Sequence, residues 1–238
     1  MNKVISLPVF NEEKTIKGLV TEIKELRYFE KIVIVNDCST DRTMQILNEI
    51  LDDELIVVNN SQNLGHGPST LIGLLKALEM GYDAIVTADG DGHYQVSDLK
   101  AMAEQLLASK LDLIEGFRTD RSDPWFRKLS SLATRNLVRI RCRKSVQDAN
   151  TPIRAYRINV AKIILSTIPN MNYPIPNLYI SAQSRKLNLK IGSFPVATLK
   201  RENSEKLGTT WRQRYRNLPT KRYLKFCLNA TFHWYLKR

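Results

Sequence analysis

Cysteine is scarce in this chain of 238 residues: Cys38, Cys142 and Cys227 are the only three, and they stand far apart. A set so small, odd and scattered excludes a disulfide framework and offers no zinc-ligand spacing. Glycine patterns that cradle phosphates are missing as well. No G-x-G-x-x-G follows the first apolar run, Gly65-His66-Gly67 lacks a third glycine, and no G-x-x-x-x-G-K-[ST] occurs. A dinucleotide fingerprint and a P-loop are thereby excluded. The C-terminal apolar run, Phe226 to Leu236, has 11 residues and is broken by Asn229 and His233, whereas crossing a bilayer takes roughly 20. No charged-then-apolar leader precedes the first strand, so a cytoplasmic location is expected. Repeats and low-complexity linkers are absent. Finally, no Asp or Glu occurs between Asp148 and Glu202.

What is present is ordinary in amount and unusual in placement. Hydrophobic content of 43% and charged content of 25% suit a soluble globular protein, and the length suits one large domain with a tail. Residues 1–117 carry ten Lys and Arg against 19 Asp and Glu, a net −9. Residues 118–144 are net +7, residues 145–199 net +5, and residues 200–238 net +9. An acidic half is followed by a basic one, which suggests that the second half meets something anionic: nucleic acid, a phosphorylated substrate or a lipid surface.

Strand and helix signals alternate through the first half. Val4 to Pro8 reads as a short strand stopped by proline, with Asn11 as the N-cap of a helix carrying Ile16, Leu19, Val20, Ile23 and Leu26 at helical spacing. Lys31 to Val35 and Leu55 to Val58 are continuous apolar runs, the mark of strands covered on both faces. Helices are expected through Met44, Leu47 and Leu51, from about Pro68 to Glu79, and from Val96 to Ala108; Ala84 to Val86 and Leu111 to Ile114 complete the strands. Five alternations predict an α/β fold, a mostly parallel sheet with helices on both faces. Beyond Gly116 the pattern loosens into a loop and basic helix, then an irregular strand over Val146 to Tyr156. Helices over Val160 to Ile168 and Tyr179 to Leu187 follow, and Leu189 to Val196 is a last strand closed by Pro195.

The loops after the first, second and fourth strands would open on one edge of that sheet, where ligands bind in open α/β folds. They hold Asn11 and Glu12, Asn36 and Asp37, and Asp89 and Asp91. Asp89 and Asp91 flank Gly90 directly after a strand. Two close carboxylates without a basic neighbour repel each other unless a cation lies between them. Oxygen ligands of this kind suit Mg²⁺ or Mn²⁺ bridging to phosphates, although Asp and Gly also dominate plain surface turns. The tail from Trp211 to Arg238 is basic and aromatic. It reads either as an amphipathic segment lying in a membrane's headgroup plane or as a helix packed on the domain with a solvated basic face.

Leu7-Pro8-Val9-Phe10-Asn11-Glu12-Glu13, Val35 to Thr43 and Asp89-Gly90-Asp91-Gly92-His93 together resemble the three signatures of family 2 glycosyltransferases of GT-A fold. Gly116-Phe117-Arg118 and Arg127 to Ser131 look like that family's polyprenyl-phosphate branch, the dolichol-phosphate mannosyltransferase type. The resemblance covers about residues 3–200. It implies a single Rossmann-like GT-A domain over residues 1–200, with a nucleotide-sugar half (1–117) and an acceptor half (118–200), followed by a basic tail (201–238). Pro8, Phe10, Asn11 and Glu12 would line the nucleoside, Asp37 would hydrogen-bond the base or ribose, and Gly65 and Gly67 would let the chain approach the ribose. Ala88 and Asp89 would face the nucleotide, and Asp89 and Asp91 would hold the cation on its diphosphate. His93 stands where the branch usually has Gln; as a ligand it would tilt preference from Mg²⁺ toward Mn²⁺, and otherwise it is a polar surface residue. Arg201 resembles the diphosphate-contacting arginine. Arg118, Arg127 and Ser131 would grip a second phosphate, that of the acceptor.

The chain also departs from the family pattern. Asn36 replaces a common Asp, His66 a common Lys, and the G-x-S-K motif is reduced to Ser204-Glu205-Lys206. Family members that glycosylate a neutral hydroxyl usually carry a carboxylate base near a late helix, yet Pro174 to Ser181 offers only Asn177. A hydroxyl must lose its proton as it attacks; a phosphate monoester is already ionised and needs positioning. The expectation is a metal-dependent, inverting transfer to a polyprenyl phosphate by an enzyme peripheral on the cytoplasmic face of a membrane. Two alternatives stand beside it. One is transfer to a hydroxyl of a polysaccharide or lipid-linked oligosaccharide with Asp148 as base, a residue that could equally be a structural carboxylate answering nearby arginines. The other is a non-catalytic nucleic-acid-binding protein, for which the acidic half gives little reason.

Overall fold

The computed structural model describes residues 1–119, 125–197 and 199, with Arg127 given by its backbone alone. Among these residues seven strands form one sheet in the order β3-β2-β1-β4-β6-β5-β7. They are β1 (Lys3–Val9), β2 (Lys31–Asn36), β3 (Leu55–Asn59), β4 (Ala84–Thr87), β5 (Leu113–Arg118), β6 (Arg154–Arg157) and β7 (Ile191–Val196). All neighbours pair in parallel except β6, which runs antiparallel between β4 and β5. The helices are α1 (Ile16–Glu25), α2 (Thr43–Glu49), α3 (His66–Glu79), α4 (Val96–Ala108), α5 (Trp125–Cys142), α6 (Ile158–Thr167) and α7 (Pro176–Lys186).

Alternation along the strands feeds two cores. Ile5, Leu7, Val9, Ile32, Ile34 and Val86 pack with α1 and α4 on one face, while Val4, Val33, Val35 and Ile85 pack with α3, α6 and α7 on the other. Both faces being covered explains why these strands read as unbroken apolar runs. A third cluster joins Val138 of α5 to Leu178 and Ala182 of α7. The chain lays β2 and β3 to one side of β1, then crosses to place β4 on the other. The ends of β1 and β4 therefore flank a topological switch point, where open sheets leave a crevice for ligand.

The structure differs from the sequence reading at several places. β1 runs past Pro8 to Val9: β4 pairs with β1 only as far as Ser6, so the missing N–H of Pro8 costs the ladder nothing on that side. Asn11 is not an N-cap, since α1 begins only after Thr15. The chain 146–153 is irregular, with only Arg154–Arg157 forming a strand. β5 extends through Gly116 to Arg118, and α7 begins at Pro176, where proline at a first helical position needs no N–H partner. Pro195 lies inside edge strand β7, which ends one residue later. Arg201 and the tail lie outside the described residues. Among the described residues no helix is long and apolar enough to cross a membrane.

Candidate active site

The carboxyl ends of β1, β2, β4 and β5 open on one edge, and the amino end of antiparallel β6 meets them there. Short polar contacts tie the loops on that edge together. Asn11, in a left-handed conformation at φ 57°, donates from Nδ2 to Thr40 Oγ1 at 3.2 Å, and its Oδ1 accepts from Thr40 N at 2.8 Å. Glu12 N donates to Thr43 Oγ1 at 2.8 Å, and the Glu12 carboxylate accepts from Thr15 Oγ1 at 2.7 Å. Phe10 is half-buried beside them. The loop after β1 is thus fixed by the loop after β2.

Asp37 is buried and extends the same chain of contacts. Its Oδ1 accepts from Asn60 Nδ2 and Leu64 N, both at 2.9 Å, and its Oδ2 from Gly65 N at 2.8 Å. In this structure the Asp37 carboxylate shapes the 60–65 loop. Gly65 adopts φ +92°, and a Cβ there would meet nothing within 4 Å. Glycine is therefore needed for the backbone conformation, and the space above Gly65 is open. Gly67 is different: a Cβ would lie 2.8 Å from the carbonyl oxygens of Tyr173 and Pro174, so this glycine lets α3 press against the start of α7.

The acidic turn sits at the switch point. Gly90 N donates to Pro8 O at 3.1 Å, Ala88 N to Ser6 O at 3.2 Å, and the buried Tyr94 hydroxyl to the Asp89 carbonyl. A Cβ on Gly90 would approach Pro8 O to 2.7 Å, so the turn must hold glycine to lie this close to β1. Burial pushes the Tyr94 phenol up, and Asp91 and Asp89 push it further. Asp89 and Asp91 are about one-third exposed and face the open edge. His66, which sequence reasoning left out of the site, places Nε2 2.6 Å from Asp89 Oδ1. Burial alone would lower the His66 pKa, but the carboxylates of Asp89, Asp91 and Asp37 outweigh it and the pKa is raised. Burial would likewise raise Asp89, yet His66 holds it below the ordinary carboxylate range, with help from Arg118 and His93. The departure from the family pattern at residue 66 was the available signal.

His93 Nε2 lies 3.6 Å from Asp91 Oδ2, and its Nδ1 faces Leu199 O at 3.4 Å. Among the described residues no three His, Cys, Asp or Glu side chains converge tightly enough to enclose an ion. Two exposed carboxylates with an adjacent imidazole nevertheless fit a cation that takes most of its oxygens from phosphates and water, as Mg²⁺ commonly does.

On the basic side, Arg118 ends β5 and donates from Nε at 3.1 Å and from a terminal nitrogen at 2.8 Å to one oxygen of the buried Asp148. Arg118 is 29% exposed and Asp148 5%, so the arginine faces the edge and the carboxylate lies behind it. Asn177, at the start of α7, is buried and accepts from Arg154 at 2.9 Å. Arg154 is fully buried and donates also to Asn177 O and to Ser181 Oγ, at 2.8 and 2.9 Å. Glu115 accepts from Arg185 at 2.7 Å and from Ser181 at 2.6 Å, with Arg154 Nε 3.6 Å away. Sequence reasoning missed this cluster, which clamps α7 to β5 and β6. Ser131 is half-buried on the second turn of α5; the side chain of Arg127 lies outside the described set.

Residues 4–208 match the family described as "Glycosyl transferase family 2". A UDP-N-acetylglucosamine–dolichyl-phosphate N-acetylglucosaminyltransferase of Methanococcus voltae is 27% identical over 85% of this chain and 88% of its own length. A polyprenol monophosphomannose synthase of Mycolicibacterium smegmatis is 27% identical over 71% of this chain and 67% of its own. An undecaprenyl-phosphate 4-deoxy-4-formamido-L-arabinose transferase of Pectobacterium carotovorum is 28% identical over 69% of this chain, which spans only 51% of that protein. Glucosyl-3-phosphoglycerate synthase of Mycobacterium tuberculosis, solved with Mn²⁺, UDP and glucosyl-3-phosphoglycerate, superposes with a TM-score of 0.63 at 18% identity. That likeness covers 85% of this chain and 72% of the other, and concerns the fold. With loops of the expected composition converging on one sheet edge and a family match spanning most of the sequence, the chain belongs to glycosyl transferase family 2.

Proposed function

We propose that this nucleotide-sugar-dependent glycosyltransferase moves one sugar, with inversion, to the phosphate of a polyprenyl-type lipid, using a divalent cation. The nucleotide would lie across the ends of β1, β2 and β4, against Pro8, Phe10, Asn11, Glu12, Gly65 and Ala88, with Gly67 beneath. Asp37 would serve it through the loop it shapes as much as by direct contact. Asp89 and Asp91 would hold the cation, with His93 beside it, and Arg201 would reach the diphosphate. When bound, the cation offsets the negative charge that develops on the departing nucleoside diphosphate. Arg118, with Arg127 and Ser131, would hold the acceptor phosphate in line with the anomeric carbon, and a single in-line displacement inverts that centre. The acceptor lies in a membrane, so the enzyme would work as a peripheral protein on its cytoplasmic face.

The observation that carries this reading is the occupation of Asp148. A base for a hydroxyl acceptor needs a free carboxylate oxygen facing the acceptor, but Asp148 is buried, one of its oxygens receives two bonds from Arg118, and the other accepts from Asn150 N at 3.3 Å. No Asp or Glu follows it until Glu202. A carboxylate behind an arginine orients the arginine's outward edge, which suits a phosphate already ionised. The similarity to proteins named as dolichyl-phosphate and undecaprenyl-phosphate transferases supports the same reading. Incubation with polyprenyl phosphate, Mn²⁺ and radiolabelled nucleotide sugars is expected to give a labelled lipid. Asp91→Ala is expected to abolish it, and an undiminished product would remove the cation from the scheme.

A further inference from the structure

The outward face of α5 has a use that the sugar-transfer site does not absorb. Trp125, Leu129, Leu132 and Ile140 recur at helical spacing and are 57%, 57%, 43% and 78% exposed. Val138, on the opposite side of the helix, is fully buried and packs α5 against Leu178 and Ala182 of α7. Four large apolar side chains in one exposed row, about 22 Å long at helical rise, exceed the scattered apolar residues of an ordinary surface. Cations border the row. Arg135, Arg139, Arg143 and Lys144 line a concave opening of about 450 Å³ at its C-terminal end, and no Asp or Glu occurs from residue 124 to residue 147.

Charge selects the occupant. A second copy would bring like charges face to face, and residues 200–238, net +9, would be repelled in the same way. A nucleic acid would use the cations but leave the apolar row without a partner. An anionic bilayer takes both, cations to headgroup phosphates and apolar side chains into the acyl boundary. We propose that α5 is a bilayer-docking face of this enzyme, with Trp125, Leu129, Leu132 and Ile140 entering the interface and Arg135, Arg139, Arg143 and Lys144 holding lipid phosphates. The inference rests on the lipid-acceptor reading for its purpose, since α5 follows the strand that ends at Arg118. It adds a membrane contact distinct from the tail.

Sedimentation of the full chain with phosphatidylglycerol-containing vesicles, against pure phosphatidylcholine vesicles, tests it. Binding is expected on the anionic vesicles and is expected to weaken with added salt. Leu129→Ser/Leu132→Ser/Ile140→Ser should reduce it at least about tenfold, and Arg139→Gln/Arg143→Gln should reduce it on anionic vesicles, with thermal melts unchanged. In a chain carrying Trp211→Phe and Trp234→Phe, the remaining Trp125 emission should shift to the blue on binding. Unchanged sedimentation of the triple variant, or unshifted Trp125 emission in vesicle-bound protein, would overturn the proposal and leave docking to the tail. Binding to RNA without binding to vesicles would overturn it as well. Failure of transfer to detergent-dispersed polyprenyl phosphate, with vesicle binding as expected, would break only the acceptor reading and leave the docking face in place.

Discussion

The two sides of the sheet edge hold their loops by different means. On the proposed donor side the contacts run between neighbouring loops and are mostly neutral or singly charged: Asn11 to Thr40, Asp37 to Gly65, His66 to Asp89. On the proposed acceptor side they are full ion pairs, the part-buried Arg118 to Asp148 and the buried Glu115 to Arg185, the latter 70 residues apart. A ligand carrying its own diphosphate and cation needs acidic groups that remain exposed. A ligand that is a bare phosphate needs arginines held still, and buried carboxylates do that. The contrast therefore follows the charge of what each side would bind.

Asp91→Ala strikes the donor side where the cation would sit and should lower transfer by about 10³-fold or more, with little change in melting temperature because the side chain is partly exposed. A steady-state assay over a range of Mn²⁺ concentrations reads both activity and metal response. Glu115→Ala strikes the acceptor side through its frame. Leaving Arg154 and Arg185 buried without their carboxylate should cost about 3–5 kcal/mol of stability, measured by urea unfolding. Equal stability losses from Asp91→Ala and Glu115→Ala would erase the distinction between an exposed ligand set and a buried frame.

Asp148→Asn sharpens the comparison further. If Asp148 only orients Arg118, the KM for the acceptor should rise about tenfold and kcat should fall less. A general base would instead lower kcat by about 10²–10⁴-fold and remove a limb of the pH profile. Gly67→Ala joins the two sides, since its Cβ would press on the Tyr173 and Pro174 carbonyls; a loss of about 1–3 kcal/mol is expected in thermal unfolding. The smallest effect belongs to His66→Ala. Freeing Asp89 from its imidazole partner should lower the half-saturating Mn²⁺ concentration by about two- to fivefold.

The same contrast decides what was legible in the sequence. The donor side was readable because its strands are buried on both faces and its acidic turn follows a strand directly, so apolar runs and short motifs sit next to each other in the chain. Asn11 was misread as a helix cap because its partner, Thr40, is on another loop, and local rules see only the helix that follows. On the acceptor side Arg118 and Asp148 were each noticed, and a carboxylate answering nearby arginines was one of the two readings of Asp148, but the Glu115–Arg154–Arg185 cluster was missed. An antiparallel β6 of four residues between two parallel strands has no periodic signature, and without it nothing places Arg154 opposite Glu115. The exposed row on α5 was likewise hidden among its arginines, because exposure depends on which side packs against α7.

Ionisation of the acceptor is what separates phosphate transfer from transfer to a hydroxyl. The direct test is a side-by-side assay of polyprenyl phosphate and free polyprenol of the same chain length, with one competent nucleotide sugar and Mn²⁺. Transfer to the phosphate with none to the alcohol is the predicted result. Transfer to polyprenol at a comparable rate would contradict it and return Asp148 to the role of base.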